Sequence, residues 1–159
     1  MKTTDLCDQY GDQLAIAEPI GFKSFGGRNE FHGQIETVRC HEDNTFVRAA
    51  LEGNGSGRVL IVDGGGSTRC ALLGDNIAAL AHQNQWNGIV VYGSIRDSAA
   101  VSKIDIGVLA LGTNPRKSAK NKQGMAGIPL HFAAVDFIPG GFVYIDEDGM
   151  VLSAGNLTS

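Results

Sequence analysis

The sequence is short of cysteine, proline, tryptophan and positive charge, and these shortages exclude several classes of protein. Its three cysteines, Cys7, Cys40 and Cys70, stand far apart with no C-x-x-C pair. Neither a disulfide framework nor a structural zinc cluster is expected, and reduced cytosol is the natural compartment. Thirteen Lys and Arg against seventeen Asp and Glu leave a net charge of −4. Without a basic stripe, direct binding to nucleic acid is not expected, although protein partners stay open. No apolar run reaches the ~18 residues of a membrane helix, and the acidic start MKTTDLCDQYGDQL lacks the apolar core of a signal peptide. Nothing is expected to target or anchor the chain. Only four prolines accompany 22 glycines, which points to many tight connections between short strands rather than to a helical bundle.

A chain of 159 residues, 43% of them hydrophobic, is long enough to bury a sizeable core, and no repeat or linker divides it, so one domain over residues 1–159 is expected. Residues 5–18 read as a short helix and FHGQIETVRC (31–40) as a strand. The stretch FVRAALEGNGSGRVLIVDGGGS reads as a helix ending near Gly53, a turn, the buried strand Val59–Asp63 and a second turn. A helix from Asp75 to about Gln85 has Ile77, Leu80, Ala81 and Asn84 on one side, and GIVVY (88–92) follows as another buried strand. The apolar run IDIGVLALG comes next. GTNPRKSAKNKQGMAG (112–127) is polar, basic and weakly patterned, which predicts an irregular surface loop. Asp148-Gly149 between two β-prone runs predicts a hairpin. The whole reads as a mixed α/β fold.

Most motif-like features have a plain structural reading. GNGSGR (53–58) precedes a strand, whereas a dinucleotide fingerprint follows one. VDGGGSTR follows a strand but lacks both the last glycine of that fingerprint and the G-K-[ST] of a phosphate loop, so it reads as a chain reversal and no nucleotide cofactor is expected. His32, His41, His82 and His131 form no ligand spacing. Arg116, Lys117, Lys120 and Lys122 read as a solvated loop face. The cysteines lack a neighbouring histidine in sequence and read as small buried hydrophobes.

The stretch GDNIAALAHQNQWNGIVVYGSIRD (74–97) is different. Asp75 opens a helix, where its carboxylate can act as a cap and where the N–H groups of Asn76 and Ile77 can receive a carboxylate. Arg96 and Asp97 fall just past the end of the next strand, the edge at which open α/β layers commonly hold ligands. A helix cap and a surface ion pair would also account for these charges.

Asp75, twenty intervening residues and then Arg96-Asp97 resemble the D-x20-R-D signature of the class II 4-hydroxy-4-methyl-2-oxoglutarate aldolases. The remainder resembles their short RraA-like relatives, through DLCDQY, FGGRNEFHGQIETVRCHEDN, VLIVDGGGSTRCALLGDNIAALAHQNQWNGIVVYGSIRDS, DIGVLALG and GGFVYIDEDGMVLS. The resemblance implies a swivelling β/β/α fold, a ring-shaped homotrimer and active sites between subunits. It implies that Asp97 binds a divalent metal, Mg2+ or Mn2+, that Arg96 contacts the substrate, and that Gly74, Asp75, Asn76 and Ile77 hold the carboxylate end of a small 2-oxo acid. Arg96 and Asp75 are then the candidate catalytic residues. The implied chemistry is retro-aldol cleavage to pyruvate, with oxaloacetate decarboxylation through the same pyruvate enolate. Longer relatives carry a C-terminal extension that gives an extra acid to a neighbour's metal, and this sequence departs from them in reading to Ser159 without one; Mg2+ or Mn2+ can be held by one aspartate with waters and the substrate. Many relatives also have an acid where this sequence has Gly141. Some short relatives instead bind and inhibit the endoribonuclease RNase E, which makes a protein regulator the alternative function.

Overall fold

The apolar runs of the sequence become the strands of one large mixed sheet. In the computed structural model, which describes residues 2–158, helix α1 (Thr3–Tyr10) leads through a 3-10 turn (Gly11–Gln13) to strands β1 (Ala15–Ile16), β2 (Lys23–Ser24) and β3 (Phe31–Arg39). Next come α2 (Thr45–Leu51), β4 (Arg58–Asp63), β5 (Ala71–Leu73), α3 (Asp75–Gln83), β6 (Gly88–Ile95), α4 (Ser98–Val101) and β7 (Gly107–Thr113). The remaining elements are β8 (Met125–Ala126), β9 (Leu130–Phe132), β10 (Val135–Phe137), β11 (Phe142–Asp146) and β12 (Gly149–Ser153). The strand order is β1-β12-β11-β3-β4-β6-β7-β2, with β5 beside β6 and β8 beside β3. Strands β3, β4, β6 and β7 run parallel at its centre, and antiparallel strands flank them.

Burial on both faces explains why the central strands are continuously apolar rather than alternating. In β4, Leu60 and Val62 join Ile89 and Val91 of β6 under the helices, against Val47, Leu51, Ala78 and Ala81. On the other face Val59 and Ile61 of β4 and Val90 of β6 pack with Phe132, Val135 and Phe137 of the β9–β10 hairpin. A smaller cluster seats Leu6 of α1 against Tyr144 and Val151. The Asp146 carboxylate ties α1 down by accepting from the Thr3 N–H at 2.7 Å and the Thr3 hydroxyl at 2.8 Å.

Three expectations change in detail. The helix read over residues 5–18 ends at Tyr10, because Gly11 turns the chain at φ 50° and Ala15–Ile16 pair instead with Leu152 and Val151. The β11–β12 hairpin forms, but its turn is Glu147-Asp148, and Gly149, at φ 153°, opens β12 opposite Asp146. The stretch 112–127 is largely irregular, yet it is pinned to the body of the protein and contributes to the cleft described next.

Candidate active site

Parallel pairing brings the two halves of the Asp75 and Arg96-Asp97 signature together. Strands β5 and β6 are parallel neighbours with Leu73 opposite Ile95, so both end at the same sheet edge. The residues that follow each strand therefore emerge side by side, and the Arg96 N–H donates to the Leu73 carbonyl at 2.9 Å. Gly74 and Asp75 thus lie against Arg96 and Asp97. The Asp97 carboxylate accepts from the Asp75 backbone N–H at 3.2 Å.

This contact corrects the capping role expected for Asp75. The N-cap of α3 is Gly74, no side chain of the cap residue bonds the helix, and Asp75 is the first helical residue. Asp97 instead reaches across from the end of β6 to a free N–H of the first turn. Because the Ala78 N–H bonds the Gly74 carbonyl at 3.0 Å, the Asn76 and Ile77 N–H groups remain at the cleft without a partner among the described residues. Such N–H groups, at the positive end of the helix dipole, suit a carboxylate.

Two backbone features hold Asp97 there. A Cβ built on Gly74 would lie 2.7 Å from the Asp97 Oδ2 and 3.4 Å from the Arg96 Cγ, so the absence of a side chain makes room for both. Asp97 itself is left-handed, at φ 56° and ψ 40°, a conformation that Asp tolerates better than most residues but that still carries strain. Asp97 is exposed, whereas Asp75 and Arg96 are half-buried.

The cleft has a volume of about 100 Å³ and takes in Gly74, Asp75, Asn76, Ile77, Arg96 and Asp97. It is also lined by Asn44 and Arg48, at the start of and within α2, and by Lys117 and Lys120. Arg116, Lys117, Lys120 and Lys122 are all exposed, as a solvated loop face requires, but that reading did not place Lys117 and Lys120 at the cleft. Their loop is held by hydrogen bonds from the Ala71 N–H to the Arg116 carbonyl at 2.8 Å and from the Ala119 N–H to the Glu42 carbonyl at 2.9 Å. Buried Asp43 accepts from the Thr45 N–H at 2.9 Å, the Thr45 hydroxyl at 2.7 Å and the Asn121 N–H at 2.6 Å. Burial alone would raise the Asp43 carboxyl, but these bonds and one from the Gln123 backbone hold it below the ordinary carboxylate range. A signal for the lysines was available: their loop follows β7, a parallel neighbour of β6, and so starts at the same edge as Arg96.

The other candidate groups lie elsewhere. The Cys40 thiol is pushed up to about 12 by burial and by Asp43 and Asp63, which suits packing rather than nucleophilic attack. His32 stacks on Tyr144 and His131 pairs with Asp136. Gly141 lines a separate groove of about 490 Å³ with Ile35, Ile138, Pro139 and Leu152, where charged groups do not converge.

The donors at the cleft are carboxylate oxygens, and no group of three or more His, Cys, Asp or Glu that could enclose a metal occurs among the described residues. A set this sparse fits Mg2+ or Mn2+, which keep several waters and use one or two carboxylates plus the substrate.

Comparison with known proteins adds a family. The profile of the RraA-like family, described as Aldolase/RraA, matches residues 3–152. A protein of Aromatoleum aromaticum (strain DSM 19018 / LMG 30748 / EbN1), named "Putative 4-hydroxy-4-methyl-2-oxoglutarate aldolase", is 51% identical over 98% of both chains. One of the same name from Alkalilimnicola ehrlichii (strain ATCC BAA-1101 / DSM 17681 / MLHE-1) is 52% identical over 99% of this chain and 97% of its own. Among solved structures, one from Geobacillus kaustophilus HTA426, described as an S-adenosylmethionine: 2-dimethylmenaquinone methyltransferase, superposes with a TM-score of 0.96 at 47% identity, covering 99% of this chain and 97% of that one. The RNA-processing inhibitor RraA from Thermus thermophilis gives 0.94 at 46% identity, covering 100% and 98%. These descriptions name three functions for one fold, so the fold does not choose among them. A cleft of about 100 Å³ is well below the ~300 Å³ at which pockets for drug-sized ligands begin, and suits a small acid rather than a nucleoside cofactor.

Proposed function

The chain belongs to the RraA-like family, and from that premise we propose that it is a divalent-metal-dependent aldolase that cleaves 4-hydroxy-4-methyl-2-oxoglutarate to pyruvate and also decarboxylates oxaloacetate. The observation that carries this reading is the convergence of Gly74–Ile77 with Arg96 and Asp97 in one small cleft, where Asp97 bonds the Asp75 N–H.

The proposed chemistry follows from what each group offers. The Asn76 and Ile77 N–H groups receive the carboxylate beside the ketone and fix the 2-oxo acid in one orientation. Arg96 places a planar, permanently charged fork where negative charge gathers on the ketone oxygen as the bond beyond it breaks. In retro-aldol cleavage the hydroxyl at C4 loses its proton, its electrons form the new ketone of one pyruvate, and the C3–C4 pair passes into the enolate of the other. In decarboxylation the same enolate forms as carbon dioxide leaves. Asp75 is half-buried in the cleft, and its carboxylate has no hydrogen bond among the described residues; it is the side chain assigned to relay a proton to the enolate carbon. Asp97, with Asp75 nearby, would hold Mg2+ or Mn2+, which when bound supplies Lewis-acid stabilisation of the enolate oxygen.

The proposal includes a homotrimer in which a neighbouring subunit completes each site, and exposed Asp97 leaves room for that. Sedimentation tests it, and a fully active monomer would contradict it. It also includes action in the cytoplasm, where the three free cysteines stay reduced; no helix among the described residues is long and apolar enough to cross a membrane. The alternative, a regulator that binds RNase E, is supported by the likeness to the Thermus inhibitor. The deciding experiment measures pyruvate release from 4-hydroxy-4-methyl-2-oxoglutarate with Mg2+ beside RNase E inhibition on the same preparation. Turnover without inhibition is expected. Stoichiometric inhibition without turnover would replace the enzyme with the regulator.

A further inference from the structure

Strand β5 is three residues long and meets β6 at Ala71–Ser94 and Leu73–Ile95, with a shift of register between the two. Its placement decides where Gly74 and Asp75 fall against Arg96 and Asp97, yet so short a strand has little of its own to fix it. Support comes from the segment after β7, which bridges in parallel to Ala71 through Lys117 and to Asp43 through Ala119. Glu42, which does not line the cleft, closes this arrangement. Its carboxylate accepts from the Ser67 hydroxyl at 2.8 Å and from the Arg69 Nε–H at 2.6 Å, both in the loop that leads into β5. Its carbonyl accepts from the Ala119 N–H at 2.9 Å.

Two features show that these bonds direct the chain rather than hold the fold together. The Arg69 side chain is 72% exposed, and exposed ion pairs contribute little to stability. Glu42 is also left-handed, at φ 55°, a conformation that Glu adopts at a cost and keeps only where its surroundings impose it. The Ser67 hydroxyl and Arg69 hold its carboxyl below the ordinary carboxylate range, so the acceptor is charged at neutral pH. We propose that Glu42 is a positioning residue, whose carboxylate and carbonyl clasp the 64–70 loop to the 116–121 segment and so hold β5, and with it Gly74–Ile77, in place against Arg96 and Asp97. This rests on the reading of the cleft as a 2-oxo acid site and adds a residue that acts on it without touching the substrate.

Glu42→Asn separates the clasp from the scaffold. Asn suits a left-handed backbone better than Glu, but its side chain is one methylene shorter and falls short of Ser67 and Arg69. Tm is therefore expected to stay within roughly 4 °C of wild type, while kcat for metal-dependent pyruvate release falls about tenfold through misplaced groups. Glu42→Gln keeps both the length and an acceptor oxygen, and should keep most of the activity. Amide hydrogen exchange reads the clasp without catalysis: the Arg96 N–H, bonded to the Leu73 carbonyl, and the Ala71 N–H, bonded to the Arg116 carbonyl, should exchange at least roughly tenfold faster in Glu42→Asn. Unchanged exchange at both amides would overturn the clasp whatever the activity. Faster exchange with kcat within twofold of an active wild type would overturn its role in catalysis, as would a loss of kcat that Glu42→Gln shares in full. A wild type without turnover would remove the 2-oxo acid reading, and exchange alone would then decide whether Glu42 holds β5.

Discussion

Gly74→Ala perturbs the proposed site without touching any of its charges. The φ of Gly74, −129°, is open to alanine, so the backbone tolerates the change. The added methyl, however, would lie 2.7 Å from the Asp97 Oδ2, and an ordinary separation requires the carboxylate to retreat by roughly 0.7 Å or more. A shift of that size along the contact stretches the 3.2 Å bond from the Asp75 N–H beyond the hydrogen-bonding range. The stability change is small, because alanine for glycine at a helix N-cap costs up to about 1 kcal/mol, or roughly 2–4 °C in Tm. The activity change is large, since a misplacement approaching 1 Å can cost about 10²-fold. The assay pairs a thermal melt with metal-dependent pyruvate release, and a loss of roughly 10- to 100-fold at nearly constant Tm is expected. Activity within twofold of wild type in a folded protein would refute the claim that Gly74 seats Asp97 for catalysis.

Other perturbations separate chemistry from scaffolding. Arg96→Lys should lower kcat by about 10², because a point ammonium cannot reproduce a planar fork at an oxyanion; near-normal kinetics would make Arg96 structural. Asp43→Ala should destabilise the fold by about 2 kcal/mol, since it removes the buried charged acceptor of three part-buried hydrogen bonds, and denaturant melts check this. The Asp43 carboxyl is held below its ordinary value, so its contribution is complete above the unfolded pKa of about 3.9 and is lost as pH falls through the lower folded value. The stability gap between Asp43→Ala and wild type should therefore be constant down to about pH 4 and close below it; a gap that widens on acidification would contradict the assignment. Ala134→Gly should raise stability by about 0.5–1 kcal/mol, because exposed Ala134 sits at φ 60° in the β9–β10 turn, and a lower Tm would refute that.

Where a single side-chain pattern decides the structure, the sequence was enough. The apolar runs at 59–63 and 88–92 became central parallel strands because both of their faces are covered. The grouping of Asp75 with Arg96 and Asp97 was expected from the resemblance alone, because the short strand β5 that places Asp75 beside the end of β6 was not read from the sequence. Two things were not legible. The capping contact at α3 is made by Asp97, 22 residues on from the Asp75 N–H, and only the register of β5 on β6 reveals it. Lys117 and Lys120 lie in a stretch with no periodicity, and they are held in place by backbone bonds and by buried Asp43 from an element some 75 residues earlier. Local pattern carries no trace of such long-range anchoring.

The central claim is that Asp97 and Arg96 form a metal-dependent enolate site. Oxaloacetate decarboxylation by wild type with Mg2+ or Mn2+, measured against Asp97→Ala as the background for spontaneous and free-metal decay, tests it most directly. The expected result is pyruvate release well above that background, abolished by EDTA and blocked by oxalate, a planar dianion that imitates the enolate. Wild-type release equal to that of a folded Asp97→Ala protein would contradict the account.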